Sequence, residues 1–377
     1  MLIGRQKQSD SFWKLFDRLA VLRHFGLKRR ARVNSGSIHK RLKAELIHLP
    51  EPDLSMRYPM LGMMSQFMSK FLSLKDLDFR ALADPKNLKE LREVLYGVHS
   101  SRQKSLSLES VSRIQKRARA PIHKTWDARY IDPCDKQGHS LRVDYFAAEN
   151  TKTKVPVLIM HGIYSGPIDM VKVISKLTKA GYPVIISSYA GFAPATRSSD
   201  ASSIVASTKA VLDSTLEQGH NTVDIFAHSL GAAITAKTLA SLERNDKCPK
   251  INHLVFAAPF DSSPLNTKKI VDRLAENHPS LTEDHKKKLS KLLTWIFKGA
   301  WDTPSNIKTA FKKTQPNSFT VISGAKDAVC DREAGDAIVD AASRRLQAQH
   351  IHKEDRGHFT MFESEDMPYD EILEALA

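Results

Sequence analysis

Residues 223–242 have the sequence VDIFAHSLGAAITAKTLASL, in which a short apolar run leads through a turn of small residues into a helix-forming segment. The turn is centred on Ser229, with Ala227 two residues before it and Gly231 two residues after it. A serine on so tight a strand-to-helix turn has a strained backbone, which only small neighbours at those positions allow. The usual form is G-x-S-x-G, and Ala227 meets the same steric need. The pattern predicts a nucleophilic serine; the alternative is an ordinary polar residue at a helix N-terminus.

Apolar runs and amphipathic segments alternate on both sides of this turn. The runs that predict buried strands are 155–160, 182–189, 222–227, 253–259 and 318–324. Before them, TWDARYID and HSLRVDYFAAE alternate apolar and polar residues around a turn-like PCDKQG, which predicts a β-hairpin. Helix patterns fill the gaps between the later strands. This order predicts an α/β fold with a mostly parallel sheet, helices on both faces, and polar site residues at the carboxyl ends of the strands.

Two residues suited to assist a serine nucleophile follow strands further along the chain. Asp327 lies in the loop Gly-Ala-Lys-Asp after the strand 318–324, and His358 lies in Arg-Gly-His-Phe after another short strand. A serine hydroxyl needs a base within hydrogen-bond reach and an acid that orients the base. The interval between Asp327 and His358 is 31 residues, which one helix and one strand would fill. Ser229, Asp327 and His358 are therefore the predicted catalytic residues.

Three other residues compete for the same roles. Asp331 is an alternative acid, but it stands at a predicted helix start, where an N-terminal capping role explains it. His350 and His352 are alternative bases, and their alternation on a strand predicts that they flank the sheet. The run HIHKEDRGH superficially resembles a zinc-binding H-x-H-x-D-H motif. Because Glu354 stands in the fifth place, where that motif has Asp, a zinc site is not expected.

With these motifs in this order, residues 126–377 resemble the α/β-hydrolase family. The matching pieces are the His161-Gly162 turn after a buried strand, the elbow serine, the G-x-x-D loop and the GHF histidine. The resemblance implies Ser229 as nucleophile, His358 as base and Asp327 as acid. It implies no cofactor and no metal.

The resemblance also implies an oxyanion hole made by two backbone N–H groups, those of Ile163 and Leu230. One such donor typically contributes about 3 kcal/mol of transition-state stabilisation. Many members of the family have R-G-x-G-x-S after the fourth strand, whereas the corresponding sequence here is SSYAGFAPATRSS. This departure leaves the subfamily and the substrate open.

Residues 262–315 form an insertion that the plain fold does not require. They contain Ser280-Leu281-Thr282-Glu283, a capping-box pattern, followed by an amphipathic helix with lysines on one side. In the resembled family, insertions here form a lid over the pocket. The alternative is a pair of surface helices that covers the sheet edge.

The charge of the chain is concentrated in its first third. Residues 1–125 contain 26 Lys and Arg but 11 Asp and Glu, a net charge of +15. Residues 126–377 contain 31 of each and are neutral, so the net charge of +15 comes entirely from the first region. We therefore predict a basic, mainly helical N-terminal region, 1–125, and a hydrolase domain, 126–377. Within the first region, the segment 100–124 predicts an exposed linker or a poorly packed helix.

The N-terminal region admits several functions. An apolar stripe on a basic helix predicts binding to an anionic membrane surface; organelle targeting, secretion as a bacterial effector, and packing on the main domain are the alternatives. Nucleic acid is not expected as a partner, because no RNA- or DNA-reading motif accompanies the charge. The stripe consists of Phe12, Leu15, Phe16, Leu19 and Leu22.

Composition sets the remaining expectations. The three cysteines, Cys134, Cys248 and Cys330, are scattered and odd in number, which predicts a reducing, intracellular compartment. We expect a serine hydrolase that cleaves an ester or thioester of an acyl or lipid substrate. The alternatives are a non-catalytic binding module on the same fold and a serine peptidase of that fold. The oligomeric state stays open.

Overall fold

The fold was analysed in a computed structural model of the 377-residue chain. It describes residues 106–118, 120–163, 166–192, 200–243, 247–261, 264–276, 281–298, 301–327, 329–330, 332–343, 345–358 and 369–376. The described residues fall into two compact units. The larger lies within 96–270 and 290–377 and contains the sheet, whereas 271–289 belong to the other unit.

Eight strands form one sheet in the order β1-β2-β4-β3-β5-β6-β7-β8. β2 runs antiparallel to both of its neighbours, β1 and β4, and every other neighbouring pair is parallel. This topology, with the elbow serine after the central strand β5, is that of the α/β-hydrolase fold, so the predicted fold class is confirmed. The strands are β1 Ile122–Ile131, β2 Gly138–Ala147, β3 Val157–Met160, β4 Val184–Ser187, β5 Thr222–His228, β6 Lys250–Ala257, β7 Ser318–Gly324 and β8 Ala348–Lys353.

Helices follow most of the parallel strands. A single 3₁₀ turn, Pro167–Met170, precedes α2. Among the described helices, none is long and apolar enough to cross a membrane. The helices are α1 Leu108–Ala118, α2 Val171–Lys179, α3 Ala201–Glu217, α4 Leu230–Ser241, α5 Pro264–Glu276, α6 Glu283–Lys298, α7 Thr303–Ala310, α8 Arg332–Ser343 and α9 Tyr369–Ala375.

The central strands are apolar at successive positions because helices cover both faces of the sheet. All four residues of β3 and of β4 are buried, as are the last six residues of β5 and of β7. A strand covered on both sides must place apolar groups at odd and even positions alike. This explains why the strands have continuous apolar runs, whereas β1, at the sheet edge, alternates.

The segment before the predicted domain boundary contributes to this core. Helix α1 buries Val111 and Ile114 against the cluster that includes Val173 and Phe226. Its other face is charged, with an Arg113–Glu109 ion pair one turn apart. The helical alternative for residues 100–124 therefore holds for Leu108–Ala118, which buries Val111 and Ile114 although Leu108 is 84% exposed, whereas the segment from Ile122 onward belongs to β1.

Part of the predicted lid insertion is described. Helix α6 begins at Glu283, and the Thr282 hydroxyl accepts from the backbone N–H of His285 at 3.3 Å. Thr282 is therefore the capping residue; Ser280, the predicted one, lies outside the described residues. Trp301, in the larger unit, is fully buried. Whether the insertion is a lid stays a prediction.

Candidate active site

The turn between β5 and α4 consists of one residue, Ser229. Its backbone has φ 54° and ψ −120°, a region that non-glycine residues rarely adopt and that costs about 1–3 kcal/mol. Three backbone hydrogen bonds hold it there: Ser229 N–H donates to the Ala257 carbonyl at 3.0 Å, and the Ser229 carbonyl accepts from Phe260 N–H and from Ala232 N–H, each at 3.1 Å. The strained conformation is thus maintained mainly by the end of the neighbouring strand β6 and the residues that follow it.

Two glycines let other segments approach the serine. A Cβ atom on Gly231 would lie 2.2 Å from the carbonyl oxygen of Met160, so α4 packs directly on the end of β3. A Cβ atom on Gly162 would lie 3.2 Å from the Ser229 Cβ and 2.9 Å from the His228 Nδ1. The His-Gly turn after β3 therefore lies against the serine turn, as the motif order predicts.

The structure brings Ser229, His358 and Asp327 into one hydrogen-bonded chain. His358 Nε2 lies 2.9 Å from Ser229 Oγ, and His358 Nδ1 lies 2.8 Å from Asp327 Oδ2. The His358 side chain is 2% exposed and the Asp327 side chain is fully buried. Because a carboxylate accepts, His358 Nδ1 carries the hydrogen and Nε2 is left to accept from the serine hydroxyl.

The second carboxylate oxygen of Asp327 is also occupied. Oδ1 accepts the backbone N–H groups of Val329 and Cys330, both at 2.8 Å. Sequence analysis missed these two donors, although an aspartate that turns back on the next residues is a common turn signal. They fix the rotation of the carboxylate, so Oδ2 stays directed at His358.

Backbone hydrogen bonds join the loop that carries the acid to the loop that carries the histidine. Ala325 N–H donates to the Lys353 carbonyl at 2.8 Å, and Lys326 N–H donates to the Arg356 carbonyl at 2.9 Å. A Cβ atom on Gly324 would lie only 2.2 Å from that Arg356 oxygen. The two loops therefore move as one unit, which preserves the distance between Asp327 and His358.

His228 and His161 lie around this chain without joining it. Burial and the neighbouring His358 ring hold the pKa of His228 well below its usual range, and its Nε2 lies 3.3 Å from the His358 carbonyl. Burial lowers the pKa of His161 to about 4, and its Nδ1 donates to the Gly162 carbonyl at 3.0 Å. Tyr189 donates to the His161 carbonyl at 2.7 Å. Both imidazoles are thus neutral and order the loops.

The predicted oxyanion donors occupy suitable elements. Ile163 follows Gly162 on the turn that contacts Ser229. Leu230 is the first residue of α4 and is buried. The first N–H groups of a helix have no acceptor within the helix, so the N–H of Leu230 is suited to an external oxygen.

Of the three competing residues, the structure describes His350 and His352, and both lie away from Ser229. Asp331 is outside the described residues. His350 and His352 are on β8, where their nearest hydroxyl is that of Ser323, at 2.6 Å and 3.4 Å. The structure therefore brings His358, and neither of these two, to Ser229.

Two groups of side chains in the described part of the chain have donor atoms close enough to share a metal ion. One consists of Asp327 and His358 together with Cys330, so a metal there would compete with the Ser229–His358–Asp327 chain. The other consists of Asp132, Asp135 and His139 on the β1–β2 hairpin.

No protein-family model matches the chain, and no curated protein matches it. Solved structures that are similar to it include an esterase from Pyrococcus furiosus, at 15% identity over 70% of this chain and 91% of that one, with a TM-score of 0.48. A putative lipase from Acinetobacter baumannii matches at 15% identity over 72% and 98%, with a TM-score of 0.46. An esterase from the fungus Rhizomucor miehei matches at 12% identity over 71% and 87%, with a TM-score of 0.49. Identities this low have no bearing on substrate.

Proposed function

We propose that this protein is a serine hydrolase that cleaves a carboxylic ester or thioester of an acyl or lipid substrate. The observation that carries the proposal is the chain from Ser229 Oγ to His358 to Asp327, at 2.9 Å and 2.8 Å, on a strained one-residue turn. A buried, fully oriented serine–imidazole–carboxylate chain is what activates a hydroxyl that is otherwise a poor nucleophile.

In the proposed reaction, Ser229 Oγ attacks the acyl carbon while His358 Nε2 takes the hydroxyl proton. The tetrahedral intermediate collapses, the bond to the alcohol or thiol breaks, and His358 gives its proton to that leaving group. A water molecule then attacks the acyl carbon while His358 Nε2 accepts its proton. The bond between the acyl carbon and Ser229 Oγ breaks, His358 returns the proton to Ser229 Oγ, and the carboxylic acid leaves. Asp327 remains ionised and stabilises the imidazolium that forms twice in the cycle.

The negative charge of each tetrahedral intermediate would be held by the backbone N–H groups of Ile163 and Leu230. Both residues adjoin Ser229 in space, since Gly162 lies against the serine and Leu230 follows it in sequence. Main-chain donors of this kind are rigid before the reaction begins, which is the source of their effect.

A fluorophosphonate probe and a panel of p-nitrophenyl esters of increasing acyl length test the proposal. We expect Ser229 to be labelled and Ser229→Ala to remove both labelling and ester hydrolysis. Ser241→Ala is the matched control, because Ser241 lies at the end of the same helix and bonds only its own helix carbonyl, at Thr238. Hydrolysis that persists in Ser229→Ala would refute the assignment of the nucleophile.

The same experiment separates the alternatives. An unlabelled but folded wild-type protein would favour a non-catalytic binding module, and cleavage of peptide substrates in preference to esters would favour a peptidase. A thioester panel run in parallel distinguishes the leaving groups.

We further propose that residues 1–125 bring the enzyme to an anionic membrane and that 262–315 cover the substrate pocket. A liposome sedimentation assay that compares the full chain with residues 126–377 on phosphatidylserine vesicles tests the first of these. Since α1 packs in the core, a chain starting at residue 106 is a necessary third sample. Equal binding by all three would refute membrane recruitment by the N-terminal region.

A further inference from the structure

A second Ser–His–Asp chain lies beside the proposed catalytic one, between β7, β8 and α8. Ser323 Oγ lies 2.6 Å from His350 Nε2, and His350 Nδ1 lies 2.7 Å from Asp336 Oδ1. Asp336 accepts, so His350 Nδ1 carries the hydrogen and its Nε2 accepts from the Ser323 hydroxyl. His352 Nδ1 is 3.4 Å from the same hydroxyl.

This chain is not a second active site. Ser323 is fully buried within a regular strand, and its backbone is not among those with positive φ, whereas Ser229 stands on a strained turn. Ser323 therefore lacks the strand-to-helix turn on which a nucleophilic serine is presented. The hydrogen bonds that join Ser323, His350 and Asp336 can instead hold β7, β8 and α8 in fixed positions relative to one another.

The packing of α8 shows how tightly the histidine is held. Val321 pairs with His350 and Ser323 with His352 in the β7–β8 ladder, so these side chains share one face of the sheet. Helix α8 covers that face at Gly335, where a Cβ atom would lie 2.7 Å from His350 Nε2. The ring is therefore clamped between a helix backbone and the strand hydroxyl.

We call the contacts of His350 with Ser323 and Gly335 the clamp. Both loops that carry catalytic residues follow it closely in sequence. Gly324 follows Ser323 and is the last residue of β7 before the loop to Asp327, and Lys353 follows His352 and is the last residue of β8 before the loop to His358. Catalytic groups must stay within about 0.5 Å of their working geometry, and a shift of about 1 Å costs roughly a hundredfold in rate. A change in the spacing of β7 and β8 at Ser323 would be transmitted directly to the Asp327–His358 distance.

We propose that Ser323 and His350 are positioning residues, which lock β7 to β8 so that Asp327 and His358 remain in hydrogen-bond contact. Asp336 orients His350 from the partly exposed end of the chain, where its side chain is 50% exposed. The inference rests on the proposed serine hydrolase function.

Substitutions of His350 distinguish its two contacts. The amide nitrogen of a glutamine reaches the place of Nε2, whereas that of an asparagine reaches only the place of Nδ1. His350→Gln therefore keeps a contact to Ser323, and His350→Asn keeps only the contact to Asp336. We expect Ser323→Ala and His350→Asn to lower kcat for ester hydrolysis by about 10- to 100-fold with little change in KM, and His350→Gln to stay within about threefold of wild type.

Two controls match these variants. Ser343→Ala removes an α8 hydroxyl that bonds only the Val339 carbonyl, and His139→Asn changes a histidine that is paired with Asp135 at the opposite edge of the sheet. Both should keep wild-type kcat. Urea unfolding midpoints of all variants show which of them are folded, and the comparison of His350→Asn with His350→Gln tests the Ser323 contact if Ser323→Ala does not fold.

The outcomes are distinct. An active wild type with Ser323→Ala and His350→Asn within threefold of it would overturn the positioning role. Equal losses in His350→Gln and His350→Asn that follow the unfolding midpoint would show a stability role only, which also overturns the proposal. A folded wild type that neither labels with the fluorophosphonate nor hydrolyses any ester would instead refute the proposed function itself, and the positioning role with it.

Discussion

The substitution Asp327→Asn tests the proposed chemistry most directly, because it changes one atom and leaves the shape of the side chain intact. In the native protein Asp327 Oδ1 accepts two backbone N–H groups, and Oδ2 accepts from His358 Nδ1. An asparagine has one oxygen and one NH₂ group for these two places. The hydrogen-bond partners in the structure determine which of the two groups replaces Oδ1 and which replaces Oδ2.

The amide oxygen must take the Oδ1 place. There it keeps both hydrogen bonds, from Val329 and Cys330, whereas the reversed rotamer would lose two bonds of about 1 kcal/mol each and would set NH₂ against two N–H donors. The NH₂ group then faces His358 Nδ1, which can only accept from it. The hydrogen of the ring moves to Nε2, where it faces Ser229 Oγ and prevents the ring from taking the serine proton.

We therefore expect Asp327→Asn to lower kcat by about 10⁴-fold while the fold and KM change little. Steady-state hydrolysis of a p-nitrophenyl ester measures kcat and KM, fluorophosphonate labelling measures the reactivity of Ser229, and urea unfolding checks the fold. Asp302→Asn is a suitable control, because the Asp302 side chain caps α7 through the N–H of Ser305 and bonds none of Ser229, His358 and Asp327. A folded Asp327→Asn variant with more than a tenth of wild-type kcat would refute the proposed role of Asp327 in orienting His358.

Three further predictions follow from the geometry around the elbow. Gly231→Val should destabilise the protein by about 3 kcal/mol or prevent folding, since even a Cβ atom would lie 2.2 Å from the Met160 carbonyl; urea unfolding measures this, and a loss under 1 kcal/mol would contradict the close packing. Gly162→Ala should reduce kcat more than stability, because its Cβ would contact the Ser229 Cβ and the His228 ring, and a wild-type kcat would show that the turn is not part of the site. Burial lowers the pKa of His161 from 6.5 to about 4, so below pH 6.5 the unfolded chain binds more protons than the folded protein and stability is lost as the pH falls. This histidine alone should lower the free energy of unfolding by about 3 kcal/mol between pH 7 and pH 4. Urea unfolding at a series of pH values measures this loss, which should be smaller in His161→Asn.

Local patterns were sufficient to predict the sheet and the order of its elements. The continuous apolar runs indicated strands buried on both faces, and the small residues around Ser229 indicated the sharp turn, because burial periodicity and backbone strain depend on near neighbours in sequence. The helix α1 shows the limit of this reasoning. Its segment is polar and Ser-rich, yet Val111 and Ile114 are buried in the core, and only packing against a distant part of the chain shows that.

Contacts between distant residues needed the tertiary structure. Sequence order favoured His358 as the partner of Ser229, with His350 and His352 as alternatives, and of these three the structure brings only His358 within hydrogen-bond distance. The reason is the register of β7 and β8, which directs the other two histidines to Ser323 and the loop histidine past the end of the sheet.

The sequence by itself determined the fold class and the chemical types that gather at one edge of the sheet, because turn residues and strand periodicity act over a few positions. Only the tertiary structure decided the rotation of Asp327, the hydrogen-bonding direction of His358 and the clamp at Ser323. The hydrogen bonds of His358 and the bond between Ser323 and His350 join residues 27 to 129 positions apart, so packing across the whole sheet sets them. The rotation of Asp327 depends on the nearby N–H groups of Val329 and Cys330, whose direction only the folded loop shows.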